Sequence, residues 1–236
     1  MKKILVTGAT GQIGSELTIA LRSQYGAENV FAADIRPALN ESTQSGPFCR
    51  LDVRNASAVN QVVEVNNIDT IFHLAAVLSA VGEEQPRQTW DVNMNGLINV
   101  LETSRIHQCA LFFPSSIAAF GTEASPLDTP QDTIQRPTTI YGITKVSGEL
   151  LCDYYYHRFG VDTRGLRYPG LISSKALPGG GTTDYAVDIF YAAIKSQHYD
   201  CFLQADTQLD MMYMPDAIDA ALNLMTADSK RLKHRN

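Results

Sequence analysis

Short apolar runs alternate with longer stretches of helical periodicity along most of this chain. Lys3 to Thr7, Val30 to Ala33, a run ending at Leu51-Asp52-Val53, Thr70 to Leu74 and Phe112 to Ser116 read as brief strands. Continuous apolar character, rather than strict alternation, belongs to strands buried on both faces. Between them, Ser15 to Ser23 and the stretches 56–66, 86–107 and 142–159 carry the pattern of amphipathic helices. Strands alternating with helices predict an α/β fold, a doubly wound parallel sheet with right-handed crossovers. Further on, a strand-like Met211 to Met214 and a helix-like Asp216 to Thr226 are followed by a basic tail.

No window holds the ~20 apolar residues that span a bilayer. The N-terminal apolar run is cut too short by Thr7-Gly8-Ala9-Thr10-Gly11 to be a signal peptide, and no leader precedes the first strand. The 236 residues, 44% of them hydrophobic, suffice for one large domain, or a domain and a small lobe. A net charge of −6 without a basic face argues against nucleic acid as a partner. The run Lys230 to Arg235 reads as a solvated tail. Cys49, Cys109, Cys152 and Cys201 are widely spaced, with no Cys-x-x-Cys pair, and the histidines do not cluster with them. Neither a metal site nor a disulfide framework is expected, and a reducing cytoplasmic setting fits.

The first apolar run leads into Gly8-Ala9-Thr10-Gly11-Gln12-Ile13-Gly14 and then a helix. This is the strand, glycine turn and helix of a dinucleotide-binding Rossmann unit. Gly8 permits the turn, Gly11 lets a pyrophosphate approach the backbone, and Gly14 lets helix and strand pack closely. The helix N-terminus at Gln12 and Ile13 offers unpaired N–H groups to the phosphates. Asp34, 20 residues after Gly14 at the end of the second strand, suits the ribose hydroxyls and would repel a 2′-phosphate, which favours NAD; Arg36 is the counter-argument, since arginine accommodates that phosphate. Asp52, with Val53 beside it, is placed to cap the adenine. Leu74-Ala75-Ala76 are small enough after the fourth strand for a cofactor to pass, and His73 reads as structural.

Tyr141 and Lys145 stand at i and i+4 on one helix face. A free tyrosine is a poor base at neutral pH; a neighbouring ammonium and a positive nicotinamide would lower its pKa. Ser116, 25 residues upstream at a strand end, is placed to orient a reacting oxygen against Tyr141. Ser115 reads as a strand-end turn residue. Asn93 falls in a helix expected beneath the nicotinamide, where it would connect Lys145 to water or backbone.

Together these elements, with Leu166-Arg167-Tyr168-Pro169-Gly170, resemble the extended short-chain dehydrogenase/reductase superfamily over residues 1 to about 172. Tyr168 to Ser173, Pro178 to Val187 and Met211 to Ala217 are similar to the short-chain type of L-threonine 3-dehydrogenase. The resemblance implies NAD-dependent oxidation of L-threonine at C3 to 2-amino-3-oxobutanoate, with Tyr141 as base, Lys145 tuning it and Ser116 orienting. It implies a substrate site of Ser79, Thr182, Thr183 and Asp184, further cofactor contacts at Tyr168 and Pro169, and a homodimer packed through helices 91–107 and 142–159.

The glycine run 179–181 is expected to offer free backbone N–H groups beside the Asp184 charge, an inventory suited to a zwitterion. Between Ala176 and Ser229 there are eight Asp and no Glu, and the only Lys or Arg is Lys195. A nucleotide-sugar site recruits arginine for its second pyrophosphate, so this lobe favours a cationic group instead. The expected organisation is a cofactor-binding domain at 1–172 interleaved with a small substrate lobe at 173–236, joined by hinges at Ser173-Ser174 and Pro178 to Gly181. The family's chains continue further, so the C-terminal lobe reads as abbreviated, with apolar surface left for association. A nucleotide-sugar epimerase or dehydratase and a non-catalytic NAD-binding scaffold remain as alternatives.

Overall fold

The computed structural model describes residues 1–37, 41–125, 127–175, 177 and 179–235, with Glu41 and Ser42 described by backbone alone. Strands β1 (Ile4–Thr7), β2 (Val30–Asp34), β3 (Phe48–Arg50), β4 (Thr70–His73), β5 (Ala110–Ser116) and β6 (Thr163–Tyr168) form one parallel sheet in the order β3-β2-β1-β4-β5-β6. The winding direction reverses between β1 and β4, which makes the crevice at their C-terminal ends the switch point where such sheets bind ligands. Thr7 lies level with His73 there. Helices α1 (Gln12–Tyr25), α2 (Glu41–Gln44), α3 (Ala56–Val65), α4 (Ser79–Glu84), α5 (Pro86–Trp90), α6 (Gly96–His107) and α7 (Ile140–Phe159) interleave with the strands. Then come β7 (Gly170–Ile172), α8 (Tyr185–Lys195), β8 (Met211–Tyr213) and α9 (Met214–Thr226), with β7 and β8 pairing in parallel.

The pleat of β1 explains the two cores. Ile4 and Val6 point to one face and pack with Leu17 and Leu21 of α1 and Met214, Ala217 and Ala221 of α9. Leu5 points to the other and joins Val59 and Val63 of α3, Leu97 and Leu101 of α6, and Cys152 of α7. Both faces are therefore dry, as the continuous apolar runs required. Helix α9, late in sequence, returns to the first core and anchors the second half of the chain to the sheet.

Three features differ from expectation. β3 ends at Arg50 rather than Val53, because the carbonyl of Asp52 accepts the amide of Asn55 in a turn, and Asn55 caps α3 through Ala58 N. The helix expected over 86–107 runs as α5, a π-helical turn at Asp91–Asn95 and α6. Helices α4 and α8 lie in stretches where no helix was anticipated. No described helix is long and apolar enough to cross a membrane.

Candidate active site

The turn after β1 is shaped by backbone crowding. Gly8 has φ +70°, and a Cβ there would sit 2.7 Å from Ala75 N, so the Leu74-Ala75-Ala76 segment crosses directly over it. A Cβ on Gly14 would collide with the Gly8 carbonyl and stand 2.8 Å from Ala9 Cα, whereas one on Gly11 would meet only Gly8 O, at 3.3 Å. Gly11 is therefore the least crowded of the three. It caps α1 without a side-chain acceptor, leaving the first amides of the helix to a ligand. These groups fit a dinucleotide pyrophosphate.

Asp34 lies buried at the end of β2. One carboxylate oxygen accepts Thr10 N at 3.0 Å and Thr10 Oγ1 at 2.7 Å; the other accepts Arg36 N at 3.0 Å and Arg36 Nε at 3.3 Å. Burial works against its charge, but the hydrogen bonds from Arg36 and Thr10 prevail and hold the carboxyl below its ordinary range. Arg36 is 61% exposed on its side chain, so its guanidinium can swing off that oxygen, leaving only the Arg36 amide there and room for a ribose hydroxyl. Asp52 is differently placed. It sits in the turn after β3, held by Arg54 at 2.6 Å, and that bond lowers its pKa. Its carboxylate is committed to a surface ion pair rather than offered to an adenine, while Val53 is buried against Gly96.

The catalytic candidates converge where β5 meets α7. Thr139 caps α7 through Gly142 N and so sets its first turn. Burial pushes the Tyr141 phenol up to about 12, and a hydrogen bond from Ser116 pulls the other way. Lys145 is buried with Nζ 5.2 Å from the Tyr141 ring centre and donates to Pro114 O at 2.6 Å. Burial lowers the Lys145 ammonium to about 8, opposed chiefly by the charge of Glu149. Desolvation is the larger influence on Tyr141 here, and the expected drop depends on the positive nicotinamide as well as on Lys145. His73, Ala75, Asn93, Phe113 and Lys145 share one cleft. His73 is neutral, pushed down to about 3 by burial and by Lys145, with Nδ1 2.9 Å from Thr7 Oγ1, a structural role.

Asn93, in the π-helical turn, does not hold Lys145. Its amide clamps both backbone groups of Val77 and bonds Thr144 Oγ1 at 3.1 Å, which fixes the loop after β4 against α7. The Tyr168 side chain points into the core, its hydroxyl on Ala217 O at 2.7 Å, so any cofactor contact there falls to the backbone near Pro169. Gln12 and Glu16 of α1 reach Ser173 Oγ and Ser174 N, pinning one expected hinge to the first helix.

On the substrate side, Asp184 Oδ2 accepts Gly180 N at 2.8 Å and Gly181 N at 2.7 Å, and Thr182 N donates to Ser79 Oγ at 3.1 Å. The amides expected to be free are therefore spent on closing the turn, at Gly180 with φ +98°. Pro178, in the second expected hinge, lies outside the described residues. Thr182 is exposed, and Thr183 packs beside Gly170. The six-residue helix α4 joins the two halves of the site: Ser79 at its start holds Thr182, Ala80 N bonds Gly180 O, and Glu83 accepts Ile140 N at 2.8 Å, one residue before Tyr141. Sequence reasoning singled out Ser79 but missed this bridge, since nothing local marks Glu83.

A profile of the NAD dependent epimerase/dehydratase family matches residues 4–235. The chain belongs to that family. Within the epimerase/dehydratase family, an uncharacterized epimerase/dehydratase of Staphylococcus epidermidis is 54% identical over all of this chain and 74% of its own length. The L-threonine dehydrogenase of Clostridium difficile superposes with a TM-score of 0.96 at 55% identity, again over all of this chain and 74% of that one. A monomeric L-threonine 3-dehydrogenase from a metagenome superposes with a TM-score of 0.94 at 47% identity, over 98% of this chain and 74% of that one.

Proposed function

We propose that this chain oxidises the C3 hydroxyl of L-threonine with NAD, giving 2-amino-3-oxobutanoate. The observation that carries the reading is the convergence of Ser116, Tyr141 and Lys145 where β5 meets α7, in a fold shared with L-threonine dehydrogenases at 47–55% identity. NAD, when bound, supplies the hydride acceptor. Tyr141 Oη takes the hydroxyl proton, Ser116 Oγ holds the reacting oxygen, and the Lys145 ammonium stabilises the phenolate. Gly8, Gly11, Gln12, Ile13, Gly14 and Asp34 hold the dinucleotide, with Ala75 and Ala76 lining its path. Thr182 and Thr183 hydroxyls present polar groups to the substrate, and Asp184 acts by shaping their turn. Residues 1–172 bind cofactor and 173–236 bind substrate, with α9 tying the second portion to the sheet.

The test is NADH formation with L-threonine against D-threonine, L-serine and L-allo-threonine. Turnover confined to L-threonine supports the reading; tight UDP binding with no turnover would replace it with nucleotide-sugar chemistry, and NAD binding without any turnover with a scaffold.

Removing the charge at the ribose site gives a cofactor prediction. Asp34→Asn loses charge-assisted hydrogen bonding of ~1.5–3 kcal/mol, so NAD affinity falls about 10- to 100-fold and the gap to NADP narrows. Calorimetry with both nucleotides reads this; unchanged discrimination would move the ribose site elsewhere.

The assembly is a homodimer. Outward faces of α6 and α7 expose Ile98, Ile106, Leu150, Tyr154 and Phe159, an apolar surface that supports packing across a two-fold. Leu150→Glu is expected to convert the dimer to monomer in sedimentation. A wild type that sediments as a monomer, as one structural neighbour is described, removes the proposal. The cysteines, all free, support a cytoplasmic setting.

A further inference from the structure

The last three residues of β5 each meet a different turn of α7. Ser116, whose Oγ accepts Ala118 N at 3.2 Å, stands beside Tyr141, the Pro114 carbonyl accepts Lys145 Nζ at 2.6 Å, and the Ser115 hydroxyl donates to the Glu149 carboxylate. Tyr141, Lys145 and Glu149 follow at four-residue intervals, so they form one line along the helix. The mechanism above uses the first two points of this register and leaves the third unexplained.

Glu149 is almost fully buried, with 4% of its side chain exposed. Beyond Ser115 it accepts Arg167 Nε at 3.0 Å, Arg167 Nη2 at 2.8 Å and Gln135 Nε2 at 3.1 Å. A buried ion pair adds little net stability, because desolvation consumes most of the attraction. Stability alone therefore does not account for a carboxylate here.

The groups around it define what its charge does. Lys145 faces Glu149 and the Cys152 thiol from its own helix, neutral His73 from β4, and the Phe113 ring of β5 at 5.0 Å. Glu149 in turn faces Arg167 of β6, Ser115 of β5, Gln135 from the segment before α7, and Cys152.

We propose that Glu149 is a positioning residue for proton transfer: it fixes the third point of the β5–α7 register, and its buried charge keeps Lys145 an ammonium beside Tyr141. The kinetic part of this rests on the dehydrogenase reading; the electrostatic part does not. Burial drags the Lys145 ammonium down, and Glu149 is the largest influence resisting it. Neutralising Glu149 removes that influence and leaves the largely buried Arg167 charge without its carboxylate, so Lys145 loses its proton at lower pH. The phenolate of Tyr141 then loses its stabilising charge, so the rise of kcat with pH ends at lower pH and at a lower plateau.

The test compares Glu149→Gln, Glu149→Asp and the double variant Glu149→Gln/Arg167→Gln. Lysine side-chain carbon NMR follows the Lys145 titration, assigned by the signal missing in Lys145→Arg, and kcat is measured across pH. In Glu149→Gln the Lys145 midpoint is expected to fall by about one pH unit, equivalent to a roughly ten-fold change in the protonation equilibrium. The pH at which kcat stops rising falls by a similar amount. Glu149→Asp keeps the wild-type midpoint, and the charge-balanced double variant shifts less than the single one. If Glu149→Gln does not fold, the aspartate and double variants still separate charge from shape. An unchanged Lys145 midpoint, or a double variant shifted as far as the single one, overturns the proposal. A lowered midpoint in a protein that does not oxidise threonine overturns the functional reading instead and leaves the electrostatic role standing.

Discussion

Tyr141→Phe is expected to lower kcat for L-threonine oxidation by about 10²- to 10⁴-fold, while the Kd for NAD stays near that of the wild type. The phenol is the group placed to receive the hydroxyl proton, and the substitution removes one oxygen without altering the ring that packs 5.2 Å from Lys145 Nζ. The first turn of α7 is set by Thr139 and by Glu83 on Ile140 N, neither of which touches that oxygen, so the helix stays in place. The cofactor cradle lies at the other end of the crevice, around Gly11 and Asp34, and its affinity has no reason to change.

The pH dependence has a defined sign. Tyr141 is pushed up to about 12 and Lys145 down to about 8. At neutral pH the tyrosine holds its proton and the lysine keeps its charge. Turnover by the wild type therefore rises as pH rises and the phenol ionises, and the rise flattens once Lys145 loses its proton. A Tyr141→Phe enzyme has no such acid limb. Retained turnover, or a retained limb, would falsify the assignment of Tyr141 as base.

The cofactor half was legible because its determinants are local. The apolar runs, the three glycines of the turn and the spacing to Asp34 are all readable within one βαβ unit. So was the pairing of Tyr141 with Lys145, which needs only one helix. What escaped depends on residues far apart in sequence. Asp184 looked like a carboxylate aimed at substrate, yet it closes its own glycine turn by accepting two amides of that turn. Asp52 was captured by Arg54, two positions away. The Tyr168 hydroxyl found a carbonyl on α9, 49 residues later. Glu149 draws partners from 115, 135 and 167, a convergence that no window of sequence displays. The burial that raises the Tyr141 pKa was hidden for the same reason: a neighbouring charge is visible in sequence, and the depth of burial is not.

The two glycines flanking the start of α1 should separate when each is changed to alanine. Gly14→Ala places a Cβ against the Gly8 carbonyl and 2.8 Å from Ala9 Cα. Both are backbone atoms of the turn and cannot rotate aside, so α1 must tilt away from β1. That helix carries Leu17 and Leu21, both fully buried against Ile4 and Val6, and tilting opens the core beneath it. Overpacking of this kind costs ~1–3 kcal/mol, which for a domain of this size lowers Tm by roughly 2–12 °C. Gly11→Ala meets only Gly8 O at 3.3 Å, and its φ of −76° suits alanine, so Tm should hold. Its methyl instead fills the space through which the pyrophosphate reaches the helix amides, and NAD affinity falls by roughly ten-fold or more, about the loss of one charge-assisted hydrogen bond. Thermal melts and calorimetry read the two effects independently. A Gly14→Ala protein melting with the wild type would mean that helix and strand are not in the close contact that defines this turn. A Gly11→Ala protein binding NAD undiminished would mean that the pyrophosphate does not enter over Gly11, and the cradle would have to be redrawn around the Leu74-Ala75-Ala76 crossing.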